Sequence, residues 1–311
     1  MRKSKKLLSL VAGAVMALMV MTGCSKEPTV MKDREGNEFE IPKDIKTIVS
    51  TAPSNTEVLV GLGLADKLVA IDKYSSDVEG IDKDLPQIDF RNPDAETLIG
   101  LDPDIIIASG HNKAGDEDPF ALLKEAGITV VYIPSSSSID GIYEDIEFMA
   151  EVTGTEKKGK EIVETMKKEV DAIKEIGSKI ENKKKVYFEI GSGGGLYTFG
   201  NNTFLNEMIE VVGGENIFGK EESWITATPE SVLAANPDVI LSNDPNLTPA
   251  GKTAIEDIKS RDGWDTITAV KNGDIYQIDK NASARGSQNI IKALKEMAKA
   301  LYPNEYKDIQ E

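Results

Sequence analysis

The chain writes one phrase twice. Residues 94–107 read "DAETLIGLDPDIII" and residues 228–241 read "TPESVLAANPDVIL", with no gap inside the window. Each copy sets a glutamate (Glu96, Glu230) before an apolar helical stretch. An x-Pro-Asp break (Pro103-Asp104, Pro237-Asp238) and an aliphatic run then follow. Two copies of a helix-break-strand phrase mark two similar units, related by an approximate twofold.

The surrounding sequence extends that reading. From residue 46, aliphatic strands ("KTIVST", "LVAID", "DIIIAS", "TVVYIP") alternate with helical stretches ("NTEVLVGLG", "DAETLIGL", "PFALLKEAG", "IDGIYEDIEFMAEVTG"). This is the pattern of a parallel α/β layer. The alternation stops at residues 155–183, which hold no proline and one apolar stripe: Ile162, Met166, Val170, Ile173, Ile176 and Ile180. Steps of three and four predict a helix of roughly 27 residues, about 40 Å long. Past Lys185 the alternation resumes with "KVYFEIG", "DVILSN" and "DIYQID", and a final helix "SQNIIKALKEMAKALY". The expected fold is α/β, two similar lobes joined by one long rigid helix, with a ligand cleft between them. Its parts are a first lobe over 46–153, a linking helix over 154–182 and a second lobe over 183–311.

The first residues read as an export signal. A basic "MRKSKK" precedes an apolar run of about 17 residues, too short for a typical membrane span, and Cys24 follows. Cys24 is the single cysteine, so no internal disulfide can form. "MTGC" resembles a bacterial lipobox, which implies a signal peptide over 1–23 and lipidation of Cys24. Residues 24–45 would then be a lipidated tether and lead-in, placing the protein on the outer face of the cytoplasmic membrane. Loss of Arg2, Lys3, Lys5 and Lys6 takes the net charge from −17 to −21. Such an acidic chain is not expected to bind nucleic acid by phosphate neutralisation, or anionic lipid by charge.

Little in the chain points to catalysis. His111 is the only histidine, and no G-x-S-x-G elbow accompanies it. One histidine also argues against a zinc or manganese site, so no metal ligands and no cofactor are expected. "PAGKTA" lacks the first P-loop glycine, since Asn246 stands there, and reads as a helix entrance. "GSGGG" at 191–195 follows a strand and reads as a loop through which backbone approaches a ligand. An enzyme or nucleotide-binding protein built on that loop is a competing class, as is a surface adhesion lipoprotein with an empty cleft.

The stretches "TIVSTAPSNTEVLVGLGLADKLVAI", "GLDPDIIIAS", "AANPDVILSN" and "ARGSQNIIKALKEMAKALYP" together resemble the class III substrate-binding lipoproteins of ABC importers. These are the cobalamin- and siderophore-binding family, and the likeness is nearest to the vitamin B12-binding branch. The resemblance covers nearly the whole chain after residue 24. It implies a monomeric, non-enzymatic protein that captures a bulky metal complex, cobalamin first, and delivers it to a permease dimer driven by a cytoplasmic ATPase. It implies that Glu96 and Glu230 each pair with arginines on one half of the permease, although a helix N-terminus favours an acid in any case. It implies ligand contacts from Pro53, Tyr74, Phe90, Tyr197, Trp224 and Arg285, with Arg285 meeting a phosphate or amide of the ligand. Core packing is the alternative for Tyr74, Phe90 and Trp224. Ser109 stands where the cobalamin branch often has an aromatic, which leaves a ferric siderophore or haem as the alternative ligand. Arg91, Lys113 and Arg285 would be the cleft cations for such an anion, and Tyr74, Tyr197, His111 or a methionine could ligate a haem iron.

Overall fold

The computed structural model describes residues 29–112, 118–190 and 195–310, the His111 side chain excepted. Cys24, the signal segment, Lys113 and residues 191–194 of the glycine-rich loop lie outside the described residues. A hairpin of β1 (Val30–Lys32) and β2 (Glu38–Glu40) leads in. The first lobe runs β3 (Ile48–Ser50), α1 (Pro53–Gly61), β4 (Leu68–Asp72), β5 (Gln87–Ile88), α2 (Ala95–Gly100), β6 (Ile105–Ser109), α3 (Ala121–Glu125), β7 (Thr129–Ile133) and α4 (Ile139–Thr153). Helix α5 (Glu156–Gly177) links it to the second lobe. That lobe runs β8 (Lys185–Glu189), β9 (Leu196–Phe199), α6 (Phe204–Val211), β10 (Glu215–Asn216), β11 (Trp224–Ala227), α7 (Pro229–Ala235), β12 (Val239–Ser242), α8 (Ala254–Ser260), α9 (Thr268–Asn272), β13 (Ile275–Gln277), α10 (Lys280–Ala284) and α11 (Ile290–Leu301).

Each lobe holds a parallel sheet, in the order β5-β4-β3-β6-β7 in the first and β10-β8-β12-β13 in the second. Period-two alternation divides the strand side chains between two layers. In β6, Ile105 and Ile107 face the core shared by both lobes, while Ile106 and Ala108 face a separate outer core. In β12, Val239 and Leu241 face the shared core and Ile240 the outer one of its own lobe. The shared core forms the waist and draws on α4, α5, α6 and α11.

The linking helix has 22 residues, about 33 Å, and is shorter than the stripe implies. Val163, Met166, Val170 and Ile173 are buried along it, but Ile180 lies beyond its end. The last residue of the helix, Gly177, packs against the end of α6, where a methyl group would stand 2.2 Å from the Val211 carbonyl oxygen.

The repeated phrase folds the same way twice. Leu98 and Val232 are fully buried two residues after Glu96 and Glu230. Each helix ends on a non-glycine residue in the left-handed region, Asp102 (φ 46°) and Asn236 (φ 47°), residue types that tolerate it. The aspartate that follows ties the neighbouring strand. Asp104 Oδ2 accepts from the Lys46 and Thr47 amides (2.7 and 2.9 Å), and Asp238 Oδ2 from the Lys185 amide (2.8 Å).

Candidate ligand cleft

The carboxyl ends of the first lobe's parallel strands face a cleft of about 720 Å³, lined on its other side by second-lobe residues before α6, at the start of β11 and around α10. Five of the six expected ligand residues line it: Pro53, Tyr74, Phe90, Trp224 and Arg285. Tyr197 does not. It sits on β9, paired with Thr226 of β11, half-exposed but outside the lining.

Strand register builds the first wall. β4 and β5 run parallel with Asp72 beside Ile88, so Lys73 and Tyr74 emerge beside Asp89 and Phe90. The Tyr74 and Phe90 rings lie 6.0 Å apart, within the range of favourable aromatic pairs. Lys73 bonds Asp89 at 3.0 Å, and the Arg91 guanidinium lies 5.5 Å from the Phe90 ring centre. Beneath Tyr74, buried Asp72 accepts its amide at 2.9 Å and a hydroxyl from Ser75, while Ser75 joins a chain through Thr56 to Ser50. Burial raises the Asp72 carboxyl above its ordinary range, against these hydrogen bonds and the Arg285 charge.

The opposite wall carries Trp224, whose ring stands edge-on to buried Phe199 at 6.1 Å. Tyr74 and Trp224 remain 56% and 54% exposed, unlike core aromatics such as Trp264 and Tyr187. Core packing therefore does not account for either ring. Between the walls, Ser54, Ser76, Ser135, Ser137 and Ser223 line the cleft. Ser109 is buried, and its amide donates to Asn112 Oδ1.

Arg285 lines the cleft and also reaches across to the first lobe. Nη1 bonds Glu57 Oε1 at 2.8 Å, while Nη2 bonds Asp77 Oδ1 at 2.7 Å and the Tyr74 carbonyl at 3.1 Å. The guanidinium is thus engaged by the opposite lobe. Sequence reading missed Glu57. Its signal was an acid inside "APSNTEVLV", at a position the helical pattern would bury, and a buried acid needs a partner.

Glu96 and Glu230 lie outside the cleft lining, exposed in the first turns of α2 and α7. Asp94 and Thr228 cap those helices. Each acid follows a cleft aromatic, Phe90 or Trp224, by six residues. The Gly-Lys-Thr stretch is a helix entrance, since Thr253 caps α8 in a capping box with Glu256. Among the described residues, no cluster of His, Cys, Asp or Glu could hold a metal ion, and no helix is long and apolar enough to cross a membrane.

Two α/β lobes joined by a stiff helix, with an aromatic-walled cleft between them, define a two-lobed solute-binding protein. The chain belongs to the periplasmic binding protein family, whose model matches residues 48–282. It is 30% identical to YvrC of Bacillus subtilis, an uncharacterized ABC transporter substrate-binding lipoprotein, over 98% of this chain and all of that one. It is 24% identical to a cobalamin-binding protein of Halobacterium salinarum, over 88% of this chain and 74% of that one. A crystal structure of a possible iron-binding (periplasmic solute-binding) protein of Staphylococcus epidermidis superposes with a TM-score of 0.73. That pair is 33% identical, covering 84% of this chain and all of the other.

Proposed function

We propose that the protein is the lipid-anchored capture component of an ABC importer, and that its cleft takes a cobalamin. The observation that carries this reading is the character of the cleft: exposed rings on both lobes with serines between them. A corrin offers a broad, weakly polar face for the rings and peripheral amides for the hydroxyls. The charged groups around it are largely engaged. Arg285 meets Glu57 and Asp77, Lys73 meets Asp89, and Asp145 meets Arg34. Family membership and the likeness to a substrate-binding lipoprotein support the transport role and delivery to a permease with its ATPase.

Haem or a ferric siderophore is the second reading. Arg91 and Lys280, exposed on opposite lobes of the cleft, favour it because they could meet ligand carboxylates, and the exposed Tyr74 phenol could ligate iron. Calorimetry with cyanocobalamin, haemin, a ferric catecholate and ATP separates the readings. Cyanocobalamin should bind one to one. Haemin or the catecholate binding in its place establishes the second reading, and ATP alone, or no binding at all, overturns both.

A further inference from the structure

We propose that Arg285 and Glu57 are positioning residues, which tie the two lobes along one flank of the cleft and fix the span between Tyr74 and Trp224. Glu57 belongs to α1 of the first lobe and is 4% exposed. Its carboxylate accepts from Arg285 Nη1 (2.8 Å), Ser287 Oγ and Asn289 Nδ2 (2.9 Å), and Gln288 Nε2 donates to its backbone carbonyl (2.8 Å). All four donors belong to the second lobe, in the run that joins α10 to α11. From the other side of the guanidinium, Nη2 reaches Asp77 and the Tyr74 carbonyl, and Asn281 Nδ2 donates to Asp77 Oδ2 (2.9 Å). One arginine of the second lobe thus grips the backbone of a cleft aromatic in the first.

The waist and the tie constrain the lobes at different places. The core of the waist is apolar, and along this flank the hydrogen bonds add a directional constraint of their own. Hydrogen bonds are directional, and a charged, planar guanidinium shared by two carboxylates is strongly so. Another directional contact between the lobes, the Ile139 amide to Glu207 Oε2 at 2.7 Å, joins α4 to α6. The tie stands between the ligand cleft and a second cavity of about 480 Å³, also lined from both lobes. With solvent space on both sides, no packed core substitutes for it. The inference concerns the lobes themselves and holds whichever metal complex the cleft takes.

Distance measurement between spin labels tests it. The full chain would carry Cys24→Ser, with labels on Ile99→Cys in the first lobe and Leu247→Cys in the second, both exposed sites. The parent should give one narrow distance distribution without ligand. Arg285→Gln and Glu57→Gln should shift and broaden it, and cyanocobalamin, used as the probe, should leave about tenfold faster. Arg285→Lys should fail to restore the narrow distribution, because an ammonium cannot span two carboxylates as a guanidinium does. A lowered thermal midpoint with an unchanged distribution would mean that the pair only stabilises, and would overturn the proposal. Should the Arg285 and Glu57 variants not fold, Asp77→Asn takes one of the two carboxylates from the Arg285 guanidinium at an exposed side chain. An unchanged distribution in that variant overturns the proposal equally. The distances are read without ligand, so a failure of cyanocobalamin to bind bears on the proposed function alone.

Discussion

The Tyr74 and Phe90 rings meet at 6.0 Å with an interplanar angle of 59°, and the meeting is set by strand register rather than by the rings. β4 and β5 pair with Asp72 beside Ile88, which carries both aromatics to the same level of the cleft. Both rings and Trp224 line the same cleft, from the first and second lobes respectively.

These cleft rings should dominate affinity. Tyr74→Ala or Trp224→Ala should weaken cyanocobalamin binding roughly tenfold each, on the order of 1.4 kcal/mol. Tyr197→Ala should change it little, because Tyr197 lies outside the cleft lining. Titration calorimetry of the three variants checks this. Equal losses from all three would place Tyr197 at the ligand.

The two repeated acids should act elsewhere. Changing Glu96 and Glu230 together to alanine should leave ligand affinity unchanged in solution and lower uptake through the reconstituted permease, more so at low salt. Binding and uptake assays on the double variant decide it, and a collapse of ligand affinity would count against docking.

The last residue of the linking helix has no room for a side chain. Gly177→Ala would press a methyl group against the Val211 carbonyl oxygen at 2.2 Å and the Gly213 amide at 3.0 Å. A destabilisation of about 1–3 kcal/mol is expected. Gly100→Ala, where nothing lies within 4 Å, is the control and should be neutral or mildly stabilising. Denaturant unfolding of the two variants reads the contrast.

The repeated aspartates should be unequal. Asp104 accepts from two amides and the Thr47 hydroxyl, whereas Asp238 takes the Lys185 amide. At about 1 kcal/mol per bond or more, Asp104→Ala should cost more stability than Asp238→Ala, measured by the shift in unfolding midpoint.

Acid should loosen the tie between the lobes. Burial alone would raise the Asp77 carboxyl, but hydrogen bonds from Arg285 and Asn281 outweigh it and hold the group below its ordinary value. A depressed carboxyl contributes stability that is fully present above its unfolded value, about pH 4, and is lost as pH falls through the lower folded value. The midpoint difference between the native chain and Asp77→Asn should therefore hold steady from neutral pH to about pH 5 and shrink below about pH 4. Thermal melts across that window measure it, and a difference that grew with acid would contradict the assignment.

The lobes, their order and the linking helix were legible in the chain because each is written locally. "DIIIAS" and "DVILSN" show aliphatic strands, the stripe from Ile162 to Ile173 shows a helix face, and the duplicated phrase shows that the lobes are alike. Tyr74 and Phe90 could be placed near a cleft because both stand in loops just past a strand, where side chains escape the periodic core; Trp224, read from the sequence as a loop residue, instead opens β11. Arg285 could be placed there too, but not assigned its partners, and the end of α5 could not be read from its stripe.

What the sequence determined by itself is therefore the periodic part: two α/β lobes, one stiff connection and an acid in each repeat. The tertiary structure alone decided that Arg285 meets Glu57, 228 residues away, and that Tyr197 stays out of the cleft. The physical reason is range. Helical and strand periods report burial over a few neighbouring residues, whereas hydrogen bonds between lobes depend on how two finished surfaces come to face each other.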